Sequence, residues 1–273
     1  MRQRIVTRRA RRGAPAALAG AAALCLGLGT MAPAAPIFEN SVVSNDLAFI
    51  TDGDPNAFAC LVALGRDRRE MPDKRGGDLF ADRVHVLDAR FTDGTRVGIW
   101  VHPALDEDRA RHYAMTVAQR LGHLPTMMRA LLDHVVIHDG DETAFAEDQG
   151  RFFVLYSGNI DTRIGDHDLE ETVFHESVHA TLDADHAQSA AWRRAQQADG
   201  DFVTDYAARN PDGEDMAESA LFAFTLLTHP GRLPAETEAE LRRIMPNRLA
   251  FFADLFPPRA ALFVPSGPAP DCP

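Results

Sequence analysis

From Thr172 to Leu182 the chain reads Thr-Val-Phe-His-Glu-Ser-Val-His-Ala-Thr-Leu, with Glu176 as its one formally charged residue. A helix this poor in charge has to lie inside a core, so the rest of the chain must be built around it. His175 and His179 stand four apart, on one face of that helix, where two imidazoles can converge on a single ion. Neutral imidazole suits Zn²⁺, and Glu176, one residue beyond the first histidine, can reach a metal-bound water. On its own the pair also fits the polar stripe of an amphipathic helix, so a third ligand is needed to decide.

The order of the remaining elements follows from period and punctuation. Val84 to Phe91 and Thr95 to His102 are apolar or alternating runs on either side of Asp93-Gly94, which predicts an antiparallel hairpin. Asp106 to Leu121 has a helical period with an acidic start, and a shorter helical stretch follows Pro125 through Leu132. Val135 to His138 and Phe152 to Ser157 are the next strand candidates, the second proposed as a sheet edge able to hold an extended peptide. Helical patterns then cover Asp168 to Leu182, Ser189 to Gln197, Glu214 to Thr228 and Glu236 to Leu255, with a turn over residues 202–208. Before all of these, Ala57 to Leu64 is apolar but ambiguous, and the Arg-Asp-Arg-Arg-Glu run after it reads as solvated loop. Strands first and helices later predict an α+β fold: a small antiparallel or mixed sheet preceding a mainly helical C-terminal half that carries the His175 helix.

The third ligand is sought downstream. After Tyr206 and the turn-like Asn210-Pro211-Asp212-Gly213 comes Glu214-Asp215-Met216-Ala217-Glu218, at the start of an apolar helix. Glu214 and Glu218 share a face, so one carboxylate can complete a His₂Glu site while the other hydrogen-bonds the outer nitrogen of a liganding histidine. Asp185 and His186 compete for the ligand position, ten and eleven residues after His175. Their use would need a sharp turn after the second histidine, where this chain has Leu182 rather than glycine, so Glu214 is preferred. His134 and His138 are also four apart, but on a strand that separates their rings. His85, His102, His112, His123, His167 and His229 lack ligand spacing and are read, with those two, as surface or satisfied core residues.

These motifs resemble a known group. The His175 motif, the step of 35 positions from His179 to Glu214 and the preceding Tyr206 are similar to gluzincin-type zinc metallopeptidases. The nearest subset is that of anthrax lethal factor, where a Glu-aromatic-x-Ala-Glu run follows a tyrosine. Phe174 to Phe222, with Ser189, Trp192, Ala195, Asp199-Gly200, Phe202 and Tyr206-Ala207, is also similar to exported bacterial metallopeptidases that are largely uncharacterised. The resemblance spans roughly residues 120–230. It implies a zincin-like catalytic region over residues 106–258, with 35–105 as a strand-containing elaboration of the same domain. It further implies Zn²⁺ held by His175, His179 and Glu214, Glu176 as general base, Tyr206 as a donor to the transition state and Glu218 behind the ligands. The expected activity is hydrolysis of a peptide or protein substrate; the alternative is a non-catalytic exported zinc-binding protein using the same three ligands. Asp215 and Met216 replace the paired aromatics of lethal factor, and Glu218 stands where thermolysin-like enzymes have Asp, departures that bear on substrate more than on metal.

Composition sets the surroundings. Arg2, Arg4, Arg8, Arg9, Arg11 and Arg12 precede an apolar stretch from Ala16 to Leu28 and small residues at Ala32 and Ala34, the order of a signal peptide. The apolar stretch is shorter than the roughly 20 residues of a spanning helix, so cleavage near Ala34 and a periplasmic or secreted product are expected. Losing residues 1–34 removes six arginines and no acids, moving the formal charge from −12 to −18. Nucleic acid and anionic membranes are then excluded as partners, since both require a basic surface. Residues 259–273 form a Pro-rich tail. Cys60 and Cys272 remain, either bridged in an oxidising compartment or left as two free thiols.

Overall fold

Apolar residues at every second position line one face of a six-stranded mixed sheet in this computed structural model, which describes residues 36–257, 262–265, 267–268 and 270–272. The predicted signal peptide and part of the Pro-rich tail lie outside the described residues. Strands β1 (Phe58–Glu70), β2 (Phe80–Phe91) and β3 (Arg96–Val101) run antiparallel. Helices α1 (Glu107–Leu121) and α2 (Thr126–Leu131) then cross over to β4 (His134–His138), which pairs parallel to β3. Next come β5 (Phe145–Glu147) and β6 (Phe152–Tyr156), and the spatial order is β1-β2-β3-β4-β6-β5. The chain continues as α3 (Ser157–Gly165), α4 (Leu169–Thr181), α5 (Asp183–His186), α6 (Ala190–Asp199) and α7 (Asp205–Arg209). It ends in α8 (Asp215–Thr228), α9 (Ala235–Ile244) and α10 (Pro246–Leu255). The α+β class predicted from element order is therefore found, with ten α-helices among the described residues.

The alternation sorts the core. Val97, Ile99, Val101, Val135, Ile137, Phe153 and Leu155 face the helices, while Val136, Val154 and Tyr156 face a smaller cluster on the opposite side with Met71 and Val84. Helix α4 lies in the main core, with Val173, Phe174 and Val178 fully buried, and packs against α1, α8 and β6. Its hydroxyls need no outside partner: Thr172, Ser177 and Thr181 each donate to the carbonyl four residues back, at 3.0, 2.6 and 2.5 Å. That explains how a buried helix tolerates so many polar residues.

The Asp93-Gly94 hairpin forms as expected, with Gly94 at φ 84°, and Asp93 turns inward to pair with the buried Arg129 of α2. Four local expectations are corrected. Arg66 to Glu70 is not loop but the outer half of β1, bent by a bulge at Gly65 and paired with β2 beyond the helix-covered part of the sheet. Charged residues suit it because Arg66, Asp67, Arg68 and Glu70 are exposed, and Arg68 and Arg69 lie over the rings of Phe80 and Trp100. The helical pattern over Glu236 to Leu255 is two helices, broken before Pro246, which lacks the N–H needed to continue the first. The turn over residues 202–208 gives way to helix at Asp205, where α7 begins, capped by Thr204. Finally, β6 is not an edge: β5 pairs outside it and is the edge strand on that side of the sheet. Cys60 and Cys272 are joined by a disulfide.

Candidate metal centre

His175 and His179 project from successive turns of α4, and their Nε2 atoms lie 3.2 Å apart. Glu214, at the N-cap of α8, brings Oε2 to 3.2 Å from His179 Nε2 and 3.5 Å from His175 Nε2. Three ligands about 2.0–2.1 Å from a common centre at tetrahedral angles stand about 3.3 Å from one another. The three separations, 3.2, 3.2 and 3.5 Å, bracket that value, so the triad can hold a metal ion.

One of the two outer nitrogens is held as a liganding histidine requires. His179 Nδ1 donates to Asp183 Oδ2 at 2.6 Å, which aims Nε2 at the centre. His175 Nδ1 faces Glu218 Oε1 at 3.6 Å. The hydrogen bond expected there from Glu218 is not formed; its carboxylate instead accepts from Ser41 Oγ, from Val42 N at 2.8 Å and from Thr204 Oγ1 at 2.7 Å. Glu218 thereby ties the segment before β1, the N-cap of α7 and α8 together behind His175. Further along, Arg248 of α10 reaches Asp215 at 2.8 Å and fixes the start of α8 next to Glu214.

The electrostatics favour a cation at the point of convergence. Burial raises the pKa of Glu214, but hydrogen bonds from His175 and His179 outweigh it and hold the carboxylate well below its usual range. Burial likewise opposes charge on His179, yet Asp183 and Glu214 raise its pKa well above normal. Glu176 stands beside the triad without joining it, and burial raises its pKa despite the neighbouring histidines. Tyr206 Oη donates to Glu214 Oε1 at 3.1 Å; burial and that carboxylate push the phenol up to about 12, so it stays a proton donor at neutral pH.

The structure thus brings His175, Glu176, His179, Tyr206 and Glu214 onto one cleft of about 340 Å³, with Glu218 behind it. No protein-family model matches this chain, and no curated protein or solved structure does either. The case for the site rests on its own geometry.

Asp185 and His186 are kept out of it. The chain leaves α4 directly into α5, Asp185 points to Arg151 at 3.4 Å, and His186 packs edge-on against Phe251. Sequence reasoning missed Asp183, although it stands four residues after His179 and so continues the same helical face. Ser41 and Val42 gave no local signal at all, being 177 and 176 positions from Glu218. Asp183→Asn is expected to weaken metal binding by about 10- to 100-fold, because the amide no longer fixes the ring or raises its basicity. Competition with a chelator of known affinity measures this, and an unchanged affinity would detach Asp183 from the site.

Proposed function

We propose that this chain is an exported zinc metallopeptidase of the gluzincin type. The observation that carries the proposal is the convergent His175, His179 and Glu214 triad with Glu176 and Tyr206 lining the same cleft. Two imidazoles and one carboxylate at tetrahedral separations suit Zn²⁺ better than Ca²⁺ or Mg²⁺, which take six or more oxygen ligands. When bound, the ion would supply Lewis-acid polarisation of a carbonyl and lower the pKa of a coordinated water towards neutrality.

The chain's own residues divide the remaining work. Glu176, buried and with a raised pKa, is suited to take a proton from the attacking water and return it to the leaving amine, because its basicity lies nearer the working pH. Tyr206 keeps its proton on Oη and can turn it from Glu214 to the oxygen that becomes negative as the carbonyl is attacked. Strand β5, open on one side among the described residues and lining the cleft through Phe145, Ala146 and Glu147, offers main-chain groups to an extended peptide. The Cys60–Cys272 bridge supports folding in an oxidising compartment, consistent with export.

Elemental analysis of protein purified without added metal, followed by a peptide-library digest of the zinc-loaded protein, tests this reading. The expected result is one zinc per chain, lost in His179→Ala, and cleavage abolished by chelator. Zinc binding without cleavage of any peptide would favour a non-catalytic zinc-binding protein, and no bound metal would end both readings.

A further inference from the structure

Lys74 is the chain's single lysine, and it sits on the wall of the cleft that holds Glu176 and the triad. Its place there is built. The connection between β1 and β2 is stapled to the ends of β4 and β6 by a polar network around Tyr156. Tyr156 Oη accepts from Lys74 N at 3.0 Å and donates to Asp73 Oδ1 at 3.0 Å. Asp73 also takes Arg75 on both oxygens, and Arg75 reaches on to Asp139 O at 2.9 Å. His138 holds Pro72 O at 3.1 Å. The result presents the Lys74 ammonium to the start of β5, where Nζ donates to Ala144 O and Thr143 Oγ1, each at 2.8 Å, and lies 5.2 Å from the centre of the Phe145 ring.

Two of the three ammonium donors are thus engaged, both by neutral oxygens, and no carboxylate pairs with Lys74 among the described residues. Every other charged group on the cleft apart from the histidines is acidic, and Glu147 and Asp148 stand exposed at the far end of β5. From Ala144 to Asp148 an extended backbone advances about 13 Å, so the edge strand carries a cation at its beginning and two anions at its end. A peptide pairing antiparallel to β5 lays its C-terminal side against Lys74 and its N-terminal side against Glu147 and Asp148. The parallel orientation would set a free amino group on the ammonium and a carboxylate on the two acids.

Resting on the peptidase reading above, we infer that Lys74 is a specificity-determining residue that binds a carboxylate on the C-terminal side of the scissile bond, selecting short peptides that end near the cleft or carry an acidic residue there. The bond is charge-assisted and lies beside the apolar Phe145 ring, so it discriminates by about tenfold or more.

The test uses the zinc-loaded full chain and the tetrapeptide Ala-Phe-Leu-Ala as free acid, as carboxamide, and as carboxamides ending in Glu or Gln. Binding is measured by calorimetry on the Glu176→Gln background, and kcat/KM on the parent background. The expected result is a preference of about tenfold or more for free acid over amide if the terminal carboxylate is read, or for Glu over Gln if a side chain is. The preference should reside in KM rather than kcat, collapse to near unity in Lys74→Met and return in Lys74→Arg. A preference that survives Lys74→Met, or no preference in the parent, overturns the proposal. Lys74-dependent binding of peptides that are never cleaved would keep the carboxylate subsite while sinking the peptidase reading, and cleavage indifferent to Lys74 would do the reverse.

Discussion

On the proposed peptidase reading, Glu176→Gln is expected to bind zinc like the parent and to lose peptide turnover by about a thousandfold or more. A positioned general base contributes roughly 10²- to 10⁴-fold, and Gln matches Glu in shape while being unable to accept the proton. Zinc retention follows from the geometry, since the three converging atoms belong to His175, His179 and Glu214 and none to Glu176. Stability should hold as well, because burial already disfavours the Glu176 carboxylate and a neutral amide removes that cost. The measurement pairs metal content with initial rates on a peptide that the parent cleaves. Turnover equal to the parent's would remove Glu176 from the chemistry, whereas loss of zinc would make it part of the metal's support.

Removing the Cys60–Cys272 bridge, by reductant or by Cys272→Ser, is expected to lower the free energy of unfolding by about 5 kcal/mol. The bridge joins residues 212 apart in sequence, and chain entropy makes a crosslink more stabilising as the loop it closes lengthens. It also holds down a segment with contacts of its own. Leu262 is buried and its carbonyl accepts from Thr126 N at 2.8 Å, Phe263 lies over the Arg129 guanidinium, and Asp271 O accepts from Arg90. Gly267 rests so closely on Gly94 that a Cβ added to Gly94 would come within 2.8 Å of it, so a side chain at that hairpin position would displace the segment. Denaturant titration with and without reductant reads the effect. Coincident transitions would show that the crosslink closes a loop the folded chain and the unfolded chain constrain equally.

What the sequence made legible was whatever repeats at short range. The step of four between His175 and His179 places two rings on one helical face whatever the surrounding fold, and the structure sets their Nε2 atoms 3.2 Å apart. Asp93-Gly94 similarly carries its own turn, because glycine supplies the positive φ. Glu214 required a longer step across α5, α6 and α7, and the apolar run of α8 marked where that step ends. The remainder is tertiary. Three residues of β5 are too few to show a period, and the charged half of β1 breaks the alternation rule because neither of its faces enters the core. Lys74 becomes notable only when the network at Tyr156 folds its loop over the cleft.

The grip of Ser41 and Val42 on Glu218 has a consequence in time. A chain made from its N-terminus presents residue 41 long before residue 218 exists, and the wall behind His175 closes only when the two meet. The ligands likewise reach spacing for an ion only after α8 docks against α4. A half-made copy therefore lacks the assembled triad until the last site-bearing helix is in place. The order of assembly thus sets when the three ligands can first meet around an ion.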